Sequence, residues 1–250
     1  MRAYITLLST ESYAPGVVAL HRSLGAVGAK YPLYCALSAC IDEKTQRDLE
    51  KEGIPCLRLK RAALTHEIIP EGVGMRHWNY TFDKLLVWEL TQFEKLVFLD
   101  SDMLVLHNVD ELFEREPFSA VVAGASMPGN EDWKDLNSGL MVIEPDENVA
   151  EALLEHIEPT VEEFHARGRM AVGDQDVITH YLSGWRDREE LHLEEGYNVF
   201  AAYLDYYLTS LGYTLSATPP SKKDAGNLYA SCISPGQPSR GWSGATFAIS

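Results

Sequence analysis

Two aspartates placed two positions apart, Asp100 and Asp102, follow the apolar run KLVFL in KLVFLDSDMLVL (95–106). In an extended chain, alternate residues project to the same side, roughly 6.5–7 Å apart at their Cα atoms, so both carboxylates can share one cation. Ligands that offer only oxygen select hard ions such as Mn²⁺ or Mg²⁺, which keep open positions for phosphate oxygens. The plain alternative is a strand end whose two carboxylates bind loop amides. Burial favours the ion, because carboxylates left unpaired at the end of an apolar run are costly.

Such a pair needs a rigid frame, and the flanking pattern supplies one. Residues 3–8 (AYITLL) form an apolar, β-rich run, followed by the polar turn Ser9 to Ser12 and by Pro15 in a first helical turn. The predicted helix runs to about Gly25; LYCAL (33–37) is a second strand, EKTQRDLEKE (43–52) a helix stopped by Gly53, and IPCLRL (54–59) a third strand. Strands alternating with helices predict right-handed crossovers, a mainly parallel sheet and ligands at the carboxyl ends of the strands. Farther on, TFDKLLVWEL (81–90) has a helical period and residues 95–106 read as one buried strand interrupted by acid. FSAVVAG (118–124) and GLMVIEP (139–145) are further strands, 148–168 is helical with an interruption at Pro159, and DQDVITHYL (174–182) is a short helix. After about Ser216 the chain is rich in Ser, Gly and Pro, a segment expected to cross the surface or cover the site. With no repeat and no clear linker, residues 1–250 are expected to form one domain.

Composition limits the partners. Hydrophobic residues make up 46% and charged ones 23% of the 250 residues, which excludes disorder as the main state. Lys and Arg total 21 against 37 Asp and Glu, a formal net charge of −16. A field of that sign disfavours nucleic acid and anionic bilayers, and there is no basic patch to offset it. A small anionic substrate stays admissible, because a divalent cation reverses the sign locally. Cys35, Cys40, Cys56 and Cys232 show no Cys-x-x-Cys spacing and read as reduced. Neither a signal-peptide pattern nor an apolar run of the roughly 18–20 residues needed to span a bilayer is visible, so the expected location is cytoplasmic.

Several segments surround the acidic pair in a set order: YITLLSTESYAPGVVAL (4–20), KYPLYCAL (30–37), NYTFDKLLVWELTQFEKLVFLDSD (79–102), NSGLMVIEP (137–145), GDQDV (173–177) and Tyr197–Asn198. Together they resemble glycosyltransferase family 8, the retaining enzymes that include glycogenin and galactinol synthase, over about residues 3–200. The resemblance implies a GT-A fold, an α/β architecture with a Rossmann-like, mainly parallel central sheet flanked by helices. It also implies a nucleotide-diphosphate sugar donor, usually UDP-linked, a Mn²⁺ (or Mg²⁺) ion on the Asp-x-Asp motif, and a hydroxyl acceptor that is a polyol, a glycan or a protein.

Carried over by position, Leu7, Ser9, Thr10 and Tyr13 correspond to the loop that holds uracil and ribose, with Tyr13 stacking on the base. Arg76 and Lys84 correspond to donor contacts, and Asp100, Ser101 and Asp102 to the metal and diphosphate motif. Asn137, Ser138 and Gly139 correspond to the turn that meets sugar hydroxyls, and Asp174 and Gln175 to the acid–amide pair beside the anomeric carbon. Each has a plain reading: Tyr13 packs beside the first helix, Lys84 is an exposed helical lysine, 137–139 is an ordinary turn and Asp174 an N-cap. The family's final His, Gly, Lys-Pro-Trp signature is altered in SPGQPSRGW (234–242), where Ser234 replaces the histidine and Arg240 the lysine. Serine is a poor Mn²⁺ ligand, whereas Arg240 can still neutralise a diphosphate. His77 and Trp78 are candidates for the acceptor side, while His156 and His165 read as helix-surface residues. Tyr203, Tyr206, Tyr207 and Tyr213 raise the thought of self-glycosylation, although tyrosines so spaced commonly pack. Two rival functions remain: a catalytically weak or inactive sugar-nucleotide binder, and a haloacid-dehalogenase-type phosphatase with Asp100 as nucleophile. The second needs an early motif and a later lysine and acidic cluster, which are not evident.

Overall fold

The computed structural model describes residues 1–64, 66–69, 71, 76–124, 126–213 and 230–232. Its opening follows the alternation of the sequence: β1 (Arg2–Leu8), α1 (Ala14–Ala26), β2 (Leu33–Leu37), α2 (Glu43–Lys51) and β3 (Cys56–Arg58). β1 is buried over Ala3–Leu8, which an inner strand covered on both faces requires. α2 starts where the Asp42 carboxylate accepts the Thr45 N–H at 2.6 Å.

Downstream lie β4 (Lys95–Leu99), β5 (Met103–Val105), β6 (Ala120–Val122), β7 (Leu136–Ile143), α3 (Glu147–Glu155), α4 (Ile157–Ala166) and α5 (Asp174–Tyr181). They are followed by β8 (His192–Leu193), β9 (Val199–Phe200), α6 (Leu204–Thr209) and β10 (Ala230–Cys232). A seven-stranded sheet has the order β3-β2-β1-β4-β7-β6-β8. The β1–β2, β2–β3, β1–β4 and β6–β8 pairs are parallel, while β7 runs antiparallel to β4 and β6. A second sheet has the order β5-β10-β9.

Three expectations change. Residues 95–106 are two strands in different sheets: after Leu99 the chain turns, the Met103 N–H donating to the Asp100 carbonyl at 3.1 Å, and β5 pairs with β10. The polar triplet 100–102 leaves the apolar sheet and redirects the chain. Residues 81–89 belong to a 3-10 segment, Arg76–Glu89, rather than an α-helix, and Leu90 lies just past its end. Phe82 and Lys84 to Trp88 are all buried there, so packing on every side overrides the local helical period. In 148–168 the break falls at His156; Pro159 lies in the first turn of α4, where a missing N–H costs no helical bond.

The main core lies between the central sheet and the 3-10 segment with α3, α4 and α5, where Phe82, Trp88 and Phe98 are fully buried. The opposite face packs under α1, through Tyr4, Leu20, Leu24 and Val97. The first turn of α1 meets the acidic turn closely: a Cβ at Gly16 would stand 2.2 Å from the Ser101 carbonyl oxygen. Glycine is therefore required there by contact. In an open helix interior Gly→Ala adds about 1 kcal/mol of stability. Here Gly16→Ala is expected to lower the urea midpoint; a raised midpoint would show that α1 does not seat the 100–102 turn.

Candidate active site

The order of the central sheet creates the site. Chain direction from β1 leads outward to β2 and β3 on one side and to β4 on the other, so the crevice between the carboxyl ends of β1 and β4 is a switch point, where open α/β sheets bind ligands. β1 delivers Ser9, Thr10 and Tyr13 to that edge, and β4 delivers Asp100 to Asp102. Because β7 is antiparallel to β4, its first residues, Asn137 to Gly139, lie beside the end of β4. The Asp100 N–H donates to the Gly139 carbonyl at 2.8 Å.

Lys84 links these elements. It projects from the 3-10 segment with only 5% exposure, placing Nζ 3.0 Å from Asp100 Oδ1 and 2.9 Å from Asp174 Oδ2. It donates to the Ser138 carbonyl oxygen at 3.3 Å and lies 4.9 Å from the centre of the Phe98 ring. A buried ammonium with one partner would be costly; two carboxylates and a carbonyl compensate it. Burial opposes the charge, yet Asp100 and Asp174 hold the ammonium well above the ordinary lysine range. The plain reading of an exposed lysine is thus excluded.

The two carboxylates differ. Burial disfavours ionised Asp174, but Lys84 and hydrogen bonds from Thr81 and Ser138 outweigh it and hold the carboxyl below its ordinary value. Ser138 Oγ donates to Asp174 Oδ2 at 2.8 Å. Asp100, its side chain 34% exposed, is the open member. Loss of hydration on its inner side pushes it up to about 6 against the pull of Lys84, with Asp102 and Asp174 adding repulsion. When both are ionised, Asp100 and Asp174 share one ammonium, leaving a local charge of −1.

A hard divalent ion fits that excess charge and the oxygen-only donors of Asp100 and Asp102. Among the described residues no group of three or more His, Cys, Asp and Glu side chains is placed to hold a metal. Such an ion would therefore keep positions for water and phosphate oxygens, as Mn²⁺ and Mg²⁺ do in phosphate-binding sites.

Across the floor, the Asn137 side-chain oxygen accepts the Gly139 N–H at 2.9 Å, and Gln175 Oε1 accepts the Ser138 N–H at 3.2 Å. A Cβ at Gly139 would meet Asn198 Nδ2 at 3.0 Å and Asp100 Oδ2 at 3.1 Å, so glycine is needed for this approach. Residues 137–139 are part of β7 rather than a separate turn. Asp174 is not the cap of α5. Gly173 holds that position and Asp176 accepts its N–H at 2.9 Å, which leaves the Asp174 carboxylate to Lys84 and Ser138.

The remaining assignments are more scattered. Leu7 is buried within β1, the Ser9 carbonyl accepts the Cys40 thiol at 3.2 Å, and the Thr10 and Ser12 hydroxyls lie 3.0 Å apart. Tyr13 is half-buried against the cluster of Leu8, Val17 and Leu37, so it does pack beside α1. Arg76 opens the Lys84 segment. Ser234 and Arg240 lie outside the described residues, as does nearly all of the Ser/Gly/Pro-rich segment. His156 and His165 are half-buried rather than surface residues; the His156 ring meets those of His180 and Tyr181. Tyr207 is buried, whereas Tyr203 is exposed. Thr81, Phe98 and Gly16 also support the site; in the sequence they are visible only as members of the segments 79–102 and 4–20, and Asn198 only as half of a Tyr-Asn pair.

Among the described residues no helix is long and apolar enough to cross a membrane. The profile of Glycosyl transferase family 8 matches residues 4–210. Glycogenin-1 of Caenorhabditis elegans is 32% identical over 193 residues, covering 76% of this chain and 41% of that protein. Glycogenin-1 of Mus musculus is 32% identical over 215 residues, covering 83% and 59%. A putative UDP-glucuronate:xylan alpha-glucuronosyltransferase 3 of Arabidopsis thaliana is 29% identical over 184 residues, covering 73% and 26%. The chain thus spans between about a quarter and three fifths of the length of these relatives. Among solved structures, the galactosyltransferase LgtC in complex with donor and acceptor sugar analogs superposes with a TM-score of 0.63 at 15% identity, covering 93% of this chain and 87% of that one. The glycosyltransferase GlyE of Streptococcus pneumoniae gives 0.58 at 17%, covering 97% and 58%. The phosphatase alternative needs an early motif, whereas the acidic pair follows β4 and the matching family is a different one. With an acid-tipped β4 at the switch point, a matching family profile and a shared GT-A fold, the chain belongs to glycosyltransferase family 8.

Proposed function

We infer that the chain transfers a hexosyl group from a UDP-sugar to a hydroxyl acceptor with retention of configuration, in a Mn²⁺-dependent reaction. The observation that carries this reading is the buried Lys84 ammonium held between Asp100 and Asp174 at the switch point. The UDP-glucuronate in one relative's name supports a UDP-linked donor. Ser9, Thr10 and Tyr13, at the end of β1, suit the nucleoside, while Asp100 and Asp102 would hold the cation. That cation would stabilise the negative charge that collects on the departing diphosphate. Arg240 is assigned to the same charge.

Around the sugar, Ser138, Asn137 and the bare backbone of Gly139 offer donors and acceptors to its hydroxyls. Asp174, kept ionised by Lys84, faces the positive charge that develops at the anomeric carbon and stabilises it; a carboxyl so depressed is a weak base. Gln175 positions Ser138 through its backbone N–H. As the acceptor oxygen bonds to the anomeric carbon, the bond to the diphosphate oxygen breaks, and the acceptor proton leaves with the diphosphate. The acceptor then lies on the leaving-group face, which gives retention.

A panel of UDP-sugars assayed with and without Mn²⁺, reading released UDP, tests this reading. Metal-dependent release from at least one donor is expected, reduced at least about 100-fold by Asp102→Ala, a loss typical of removing one transition-state electrostatic partner. Equal release by mutant and wild type would contradict it, and UDP binding without turnover of any donor would support the inactive binder. Lys84→Met leaves the buried Asp174 carboxylate and the half-buried Asp100 without their cation and should cost about 3–5 kcal/mol of unfolding free energy. Lys84→Met combined with Asp174→Asn should recover part of that stability by denaturant titration, yet no transfer. Full stability in the single mutant would show that Lys84 does not organise the site.

A further inference from the structure

Beside the acidic turn, one surface brings large aromatic rings into the open. Gly124 has φ 76°, and a Cβ placed on it would stand 3.5 Å from Phe200 Cε2 and 3.8 Å from Trp133 Cε3. The two rings thus converge over a backbone that glycine leaves bare. Trp133 is 41% and Tyr203 45% exposed, and the Phe200 and Tyr203 rings stand edge to face at 6.4 Å. Exposure of this extent in adjoining aromatics marks a contact surface more than a core.

Two independent relations place this surface next to the donor site. Asn198 and Phe200 are two residues apart in extended chain, so they share a face at a spacing of roughly 6.5 Å. Asn198 Nδ2 and Asp100 Oδ2 both lie within contact distance of one point above Gly139. Across the second sheet, Met103 and Phe200 both pair with Cys232 of β10. Two strand spacings, about 9.5 Å, therefore separate the residue after Asp102 from Phe200. Farther out, Ser126 and Lys134 line a cavity of about 360 Å³ with Arg186, His192 and Glu195. It carries groups of both signs: Arg186 binds Asp135 at 2.8 Å, Ser126 donates to Glu195 at 2.5 Å, and Lys134 lies on the same lining.

We propose that Trp133, Phe200 and Tyr203 form the acceptor platform, which stacks on the apolar C–H face of a pyranose ring in a neutral oligosaccharide whose next residue reaches the 360 Å³ cavity. A ring face matches flat aromatic surfaces, and a cavity that offers both donors and acceptors matches sugar hydroxyls. The net charge of −16 disfavours an anionic acceptor. The platform's place in the reaction rests on the donor reading above, because only a donor held at Asp100 and Asp102 makes the neighbouring surface an acceptor site.

The full chain is titrated with cellobiose, maltose, lactose and xylobiose and followed by saturation-transfer-difference NMR, which needs no donor. At least one disaccharide should receive saturation at its ring C–H protons; Trp133→Ala should lose it, and Trp133→Phe should keep most of it, with both variants melting at the wild-type temperature. In the transfer assay, Trp133→Ala should raise the KM for that disaccharide at least tenfold while kcat at saturation stays within twofold. Absence of binding by all four, unaltered binding or KM in Trp133→Ala, or a hexose found on Tyr203 without disaccharide binding would each overturn the platform. If wild type releases no UDP from any donor, the donor reading fails alone, and the NMR titration still decides the platform.

Discussion

One buried ammonium sets the geometry of this protein. Lys84 cannot stay charged in the core without its two carboxylates, and Asp174 cannot stay ionised there without Lys84. The group joins three parts distant in sequence: the 3-10 segment, the end of β4 and the first residue of α5. Any movement of one would leave a buried charge unpaired. Asp100 is the point where that balance is incomplete, because it shares Lys84 with Asp174 and also feels Asp102. The remaining negative charge sits at the open edge, where a cation and a diphosphate can complete it.

Topology makes this possible with few residues. Reversal of strand order between β1 and β4 opens the crevice, and antiparallel β7 returns the Asn137–Gly139 backbone to the tip of β4. Close approach is secured by two glycines: Gly16 lets α1 sit on Ser101, and Gly139 lets Asp100 and Asn198 approach the same backbone. The acidic triplet also diverts the chain into the second sheet. The turn that presents the carboxylates thereby starts the second sheet, whose β9 carries Phe200 and directly follows Asn198.

Much of this was legible in the sequence because local rules and tertiary needs agreed there. LYCAL and EKTQRDLEKE fall within a residue of β2 and α2, where apolar runs, an aspartate cap and a stopping glycine all act locally. The acid at the end of an apolar strand and the ordered segments around it pointed to the correct family and fold. Long-range relations were not legible. The helical period of 81–90 did not reveal that packing on every side would draw it into a 3-10 segment, and no spacing could show that 95–99 and 103–105 join different sheets. For Asp174 the sequence leaves a site carboxylate and a helix cap both open; only the fold shows Gly173 at the cap, Asp176 accepting its N–H and Lys84 claiming Asp174.

The central claim is that the open acidic edge beside Lys84 binds a hard cation together with a nucleotide diphosphate. Crystals soaked with Mn²⁺ and UDP, with diffraction collected at the manganese edge, test it most directly. An anomalous peak between the Asp100 and Asp102 carboxylates, bridged to both phosphates with the uracil beside Tyr13, is predicted. An empty acidic edge with the nucleotide bound elsewhere would contradict it.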